Sequence, residues 1–407
     1  MTATPKRLRV VMITDGFPTA ESPRLGVFNW RTARGLEGVV DLCVVHLRAW
    51  RPGRPVCEHG LQDGVSVVRL ALPWIPRPVR WTGRRVLNVA LGRRFGRAHV
   101  ARLLQEADLV HSVGAAFAGV LGSAWGRRAR TRHVAQIVGT DINVHMPVLR
   151  DQPGIVGWEH WLHGVATNSD ELGRSFRRLY PRTQGMRTVY RGVDLRVFSP
   201  AGDVHGPQVG SGPVRFLYLG GFPVYPDCPY RDDTKGGVTL LAAWRAAERD
   251  LARSGATLVV AGPAVRERVE LWRRHLFYPE RVLAIGLLEP TDVPAYMRAA
   301  DVVLIPSRQE GLPNVSVEAA ACGRAVIGSA VGGLPEVVEH GQTGMLLPPG
   351  SEGELARALV EAARAPGLFR AMGSRARQRA EERFDSRAYP EQMLSLYREV
   401  LERPLAS

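Results

Sequence analysis

"IPSRQEGLPNVSVEAAACGRAVIGSAVGGLPEVVEHGQTGMLLPPG", Ile305 to Gly350, carries the punctuation of a strand–loop–helix unit and its sequel. The apolar run Val302–Ile305 reads as a buried strand that feeds a loop. Pro313 stands where a helix starts, because its fixed φ and missing N–H suit that place. The helix expected over Asn314–Cys322 then turns its first backbone donors toward the strand's carboxyl end, a ready site for an anion. Glu310 lies in the loop before that helix and Glu318 more than a turn inside it. At about 1.5 Å rise per residue the two carboxylates can flank a phosphate held at the helix start. Taken singly, a loop carboxylate near a helix dipole and a solvated helix position would explain them.

Outward from this stretch the chain alternates strands and helices. "LRVVMIT", "VDLCVVHL", "VSVVRLAL", "ADLVHSVG", "HVAQIVGTD" and "GVATNS" are β-rich runs of the first half. "VRFLYLGG", "ATLVVAG", "RVLAIGL", "DVVLIPS" and "RAVIGSA" repeat the style in the second. Helical stretches such as "FNWRTARGL" and "FGRAHVARLLQEA" lie between them. Continuous apolar strands alternating with helices predict α/β architecture: two Rossmann-like, doubly wound domains facing an interdomain cleft. The Gly/Pro-rich segment Ser199–Pro213 is the linker candidate. The expected domains are 1–200 and 201–385, with 386–407 a C-terminal helix packing back on the first.

At 407 residues, with 45% hydrophobic and 23% charged residues, the chain has the makeup of a folded two-domain protein. No run approaches the roughly 18 apolar residues of a membrane span, and the first residues enter a strand without a signal peptide's apolar region. A cytoplasmic location is expected. Cys43, Cys57, Cys228 and Cys322 are scattered without CxxC spacing, which reads as free thiols and offers no zinc site. The net charge of +15 is concentrated in part at Arg77–Arg102, which holds eight arginines and no acidic residue. Trp74, Ile75 and Trp81 sit at its start. Such a stretch suits an anionic membrane surface or an anionic acceptor, or is a solvated face in an arginine-rich chain. Nucleic acid is not expected, since no aromatic-rich RNA-binding motif or zinc finger accompanies the charge.

Glu310 and Glu318, with "ADVVLIPS", "EGLPNVSVEA", "VGGLPEVV" and "GQTGMLLPPG", closely resemble the C-terminal domain of glycosyltransferase family 4. Weaker similarity covers "GFPTAESPRLGVF", "IVGTDINVH", "TNSDEL" and "VYRGVDLRVFSP", so the likeness spans nearly the whole chain. That resemblance implies the GT-B fold and transfer of a hexose, with anomeric retention, from a UDP- or GDP-linked sugar to a glycan, lipid-linked or other hydroxyl acceptor. It implies neither metal nor other cofactor. A nucleotide sugar has the layout read above, a diphosphate between two hydroxyl-bearing ends.

The chain has two lysines among 54 basic residues, Lys6 and Lys235. In the family a lysine in a "KG…LL" setting binds the donor's phosphates, and Lys235-Gly236 before "GVTLLAAW" is similar to it. The resemblance assigns donor contacts to Gly26, Lys235, Glu310, Gly311, Leu312, Pro313, Asn314, Val315 and Glu318. Glu310 and Lys235 take the catalytic roles: Glu310 orients sugar hydroxyls, and Lys235 stabilises the leaving diphosphate. Glu318 grips the ribose. Two departures stand out. Gly221 occupies the place of the family's arginine after the strand glycine, so Arg231 either supplies that charge or pairs with Asp232 or Asp233. Val138 replaces a histidine, leaving Asp141 and His145 as sugar or acceptor contacts. Rival readings are a GT-B epimerase or phosphorylase, and a non-catalytic protein binding anionic lipid or nucleic acid.

Overall fold

The computed structural model describes residues 7–75, 81–204, 214–222, 233–263 and 265–404. It divides into two compact units, Met1–Arg191 with Arg387–Ser407, and Gly192–Ser386. The boundaries expected at 200 and 385 fall instead at 191/192 and 386/387. The reason is local: "GVDLRVFSP" folds with the second unit. Val193 donates its N–H to Phe384 O at 2.8 Å, and Ser386 N–H bonds Val193 O at 3.1 Å.

Among the described residues the first unit is built on eight strands: β1 (Arg9–Thr14), β2 (Asp41–Ala49), β3 (Cys57–Gln62), β4 (Val65–Leu72), β5 (Leu109–Val113), β6 (Arg132–Ile137), β7 (Gly164–Thr167) and β8 (Met186–Thr188). Their order across the sheet is β3-β4-β2-β1-β5-β6-β7-β8. Both faces are covered, which explains the unbroken apolar runs. Val11 and Ile13 of β1 enter one core, with Val45 and Val110, while Val10 and Met12 enter the other, with Val44 and Leu109. The last helix, Tyr389–Glu402, belongs to this unit and buries Met393, Leu396 and Val400 in the second of those cores.

The pair β3–β4 is antiparallel, an exception in an otherwise parallel sheet. Its turn is Asp63-Gly64, both at positive φ, the backbone that a tight hairpin requires. Among the described residues the second unit has a six-stranded parallel sheet: β9 (Arg215–Leu219), β10 (Thr257–Ala261), β11 (Val282–Gly286), β12 (Val302–Ile305), β13 (Ala325–Ser329) and β14 (Gly344–Leu347), in the order β11-β10-β9-β12-β13-β14. Its strands bury Phe216, Leu258, Val260, Leu304 and Ile327 in one core with Trp244 and Leu359 from the covering helices.

Candidate functional site

Strand order in the second unit reverses between β9 and β12, and open α/β sheets bind ligands at the carboxyl ends of strands where such a reversal occurs. The loops leaving these two strands are fastened together. Arg308 N–H bonds Thr234 O at 2.9 Å. Gly236 has φ 74°, and a β-carbon there would fall 1.8 Å from the Pro306 carbonyl oxygen. Only glycine permits this approach. Tyr218 at the end of β9 donates its hydroxyl to Lys235 O at 3.2 Å. Burial above all, with the charges of Asp233 and Glu310, raises the pKa of that phenol, so it remains a donor.

The fastening places Lys235 against Glu310. Its ammonium lies 2.8 Å from one carboxylate oxygen and 2.9 Å from the other. The Glu310 side chain is 8% exposed and the Lys235 side chain 51% exposed. A buried carboxylate thus faces a half-exposed cation. Replacing Gly236 by Ala is expected to separate the loops, destabilising the protein by about 2 kcal/mol or more, because left-handed backbone and a clash with Pro306 act together. A thermal melt checks this; a melting point equal to the parent's would refute the account.

The Glu310 loop is braced from behind. Gly332 of "VGGLPEV" sits at φ 55°, where a β-carbon would fall 2.2 Å from the Glu310 carbonyl oxygen, and Gly333 N–H bonds Gly311 O. Gly311 and Leu312 follow, and Pro313 leads into the helix Asn314–Ala321. Pro313 is the residue before the helix, with ψ 115°, and its carbonyl accepts the N–H and the hydroxyl of Ser316 at 3.0 and 2.6 Å. Asn314 and Val315 form the first turn. Glu318 is 7% exposed, so it is no ordinary solvated helix position.

Asp233 has a task that the sequence reading missed. Its carboxylate accepts the N–H groups of Val238 and Thr239, both at 2.8 Å, and the Thr239 hydroxyl at 2.9 Å. It caps the helix Gly237–Arg253. The signal was present as an acid a few residues before a glycine and an apolar run. Ser307 was missed as well: its hydroxyl donates to Glu310 Oε1 at 2.7 Å. Arg231 lies outside the described residues. Gly221 and Lys235 are linked through Tyr218, whose hydroxyl also reaches Gly221 O at 3.4 Å. No cluster of three or more metal-ligating side chains occurs among the described residues.

Gly26, Asp141 and His145 belong to the first unit. Gly26 has φ 72° and would place a β-carbon 2.2 Å from the Gly16 carbonyl carbon. Its close approach is to the loop leaving β1, which Asn29 ties through Thr14 Oγ1 and Gly16 O at 2.9 and 2.8 Å. Asp141 is buried and accepts N–H bonds from Ala115 and Gly139, each at 2.8 Å. Burial raises its pKa against those amides. The carboxylate is thereby a brace between the loops after β5 and β6. Burial first, then the charge of Arg85, lowers the His145 pKa to about 4, so its imidazole is neutral at pH 7.

Residues 229–364, which contain Lys235, Glu310 and Glu318, match the family described as Glycosyl transferases group 1. Over 346 residues the chain is 29% identical to the alpha-maltose-1-phosphate synthase of Mycobacterium tuberculosis, covering 75% of this chain and 86% of that one. Among solved structures it is similar to Anabaena HepE in complex with UDP, with TM-score 0.71, 19% identity, and 96% and 100% of the two chains covered. The fold is that of the GT-B glycosyltransferases. Sucrose-phosphate synthase from Thermosynechococcus elongatus shares the fold at TM-score 0.72 and 21% identity, over 96% and 99% of the chains. The N-acetyl-alpha-D-glucosaminyl L-malate synthase of Bacillus anthracis is 35% identical over 128 residues, 31% of this chain and 33% of that protein. The match therefore spans about a third of that relative's length. Among the described residues no helix is long and apolar enough to cross a membrane.

Proposed function

We propose that this protein is a glycosyltransferase that moves a hexose from a nucleoside-diphosphate sugar to a hydroxyl acceptor with retention of anomeric configuration, as a member of family 4 that works without a metal. The observation that carries the reading is the meeting of Lys235 and Glu310, delivered by neighbouring strands at the point where the sheet's order reverses. The anion enters at the helix beginning with Asn314. Leu312 to Val315 offer main-chain amides, and Lys235 turns its ammonium to the β-phosphate as charge builds on the leaving group. Glu310 then accepts hydrogen bonds from the sugar's hydroxyls, and Glu318 from the ribose. Gly26 permits close backbone approach to the phosphates, Arg231 adds a further cation, and Asp141 and His145 serve the sugar or the acceptor. The departing phosphate takes the acceptor's proton.

UDP is the first nucleotide to try, because HepE was solved with UDP and with UDP-glucose. A glycan or lipid-linked acceptor is favoured by the arginine-rich stretch. Leu87 and Phe95 there are 47% and 49% exposed, and the Arg94 guanidinium lies 5.7 Å from the Phe95 ring centroid. Cations beside exposed apolar groups suit an anionic membrane surface on its cytoplasmic face.

The test is a panel of UDP- and GDP-sugars, scored by melting point and by nucleotide release with soluble and lipid-linked acceptors. One donor should raise the melting point, since a ligand bound only by the folded state stabilises it. It should also release nucleotide only when an acceptor is added, with product of the donor's anomeric configuration. A panel without shift or turnover refutes the proposal, and acceptor-independent release refutes transfer.

A further inference from the structure

We propose that Ser307 is the positioning residue that keeps Glu310 aimed while Lys235 is drawn to the donor's phosphate. The inference rests on the donor-site reading above and adds a residue to it. Ser307 lies two residues past the end of β12 and is 2% exposed. Its hydroxyl lies 2.7 Å from Glu310 Oε1, and Lys235 Nζ is shared between Oε1 and Oε2. These two partners differ in freedom. The lysine sits on a four-carbon stem, half exposed, and it departs when a diphosphate competes for it. The serine cannot follow. It adjoins Pro306, whose carbonyl is packed on Gly236, and the side chain has a single torsion.

The hydrogen bond is directional. An ionised carboxylate only accepts, so Ser307 must donate. With Oε1 fixed by Ser307, Oε2 loses its ammonium partner as Lys235 turns away and presents a lone pair to a sugar hydroxyl. Binding of the phosphate is thus coupled to exposure of the sugar-binding oxygen. Nucleotide alone needs Lys235 but has no use for Ser307. Sugar nucleotide needs both.

Affinity for UDP, and kcat and KM for the best donor of the panel, are measured for Ser307→Ala, Ser307→Thr, Glu310→Gln and Lys235→Met. Ser307→Ala should bind UDP within about twofold of the parent. It should lose about tenfold or more in kcat/KM, the scale of one hydrogen bond to a charged group. Ser307→Thr keeps the hydroxyl and should recover to within about threefold. Ser307→Cys, with a weaker donor of similar size, should fall between and serves if the alanine variant does not fold. Parental turnover in Ser307→Ala overturns the inference, as does a parallel fall of UDP affinity, turnover and melting point. If Glu310→Gln and Lys235→Met also turn over at the parental rate, the donor-site reading has failed. If those two collapse and Ser307→Ala does not, only the role of Ser307 has failed.

Discussion

Glu310→Gln is expected to lower sugar transfer by about a hundredfold or more while binding nucleoside diphosphate as well as the parent or a few-fold better. The two effects have opposite signs because the carboxylate has two partners at different stages. In the structure it holds the Lys235 ammonium at 2.8 and 2.9 Å. A diphosphate must take that ammonium away, so the pair competes with the nucleotide. Lys235 is half exposed, and a pair of that kind is worth no more than about 1 kcal/mol, or roughly a fivefold gain in affinity once removed. The uncharged amide also removes a repulsion between carboxylate and phosphate. Turnover falls because a neutral amide accepts more weakly from sugar hydroxyls, and charge-assisted bonds placed at a reacting centre are worth two to three orders of magnitude. Calorimetric titration with UDP and initial rates on the same preparations check both arms. Parental turnover, or UDP binding that falls in step with turnover, would contradict the assignment.

The residues that revealed the fold were those whose pattern is local. Strands such as Val10–Ile13 are apolar on both faces because both faces are covered, and that leaves an unbroken run visible in one dimension. "VGGLPEV" was visible for a similar reason, since a glycine at positive φ packed on the Glu310 carbonyl admits few alternatives. Strand β3 was not recognised: "CEHGLQ" is half exposed and polar, and only Asp63-Gly64 announced its hairpin. From the sequence, Asp233 reads, like Asp232, as an ion-pair partner for Arg231. Its three acceptor bonds depend on where the next helix begins, which composition does not state. Ser307 is two residues from a strand's end and three from Glu310, an ordinary loop serine until the loop's path is known. The polar core of the first unit was hidden for a further reason. His111 bonds Tyr397, 286 residues away in sequence.

That buried core leads to the second large effect, a loss of stability of the first unit between pH 6.5 and 4. His111 and His133 are fully buried. The His133 ring is held between Ser112 Oγ at 2.8 Å and Ser123 Oγ at 2.9 Å, and His111 Nδ1 meets the Tyr397 hydroxyl at 2.8 Å. Burial lowers both pKa values to about 3. Arg191 adds to it at His111, and the neighbouring His163 and His111 add to it at His133. Tyr397 stays protonated, because burial holds its pKa well above the ordinary value. An imidazole whose folded pKa lies below its unfolded one stabilises the fold above the unfolded value, and that stability drains away as pH falls. Between about 6.5 and 3 the unfolded chain binds a proton at each site that the folded chain refuses, at about 1.4 kcal/mol per pH unit and site. By pH 4.5 each histidine has lost about 2 to 3 kcal/mol, together about 5, a large share of an ordinary domain's stability. Asp141 works the other way, since its raised pKa favours the fold as the carboxyl protonates, and it offsets part of the loss at the acid end. Urea titrations at pH 7, 5.5 and 4.5, followed by hydrogen exchange at β5 and β6, should show this unit weakening steeply. His111→Gln and His133→Gln should each flatten the slope by about 1.4 kcal/mol per pH unit, even if they lower stability at pH 7. A slope unchanged in both variants would mean that the acid sensitivity of the first unit comes from its surface carboxylates and not from its core.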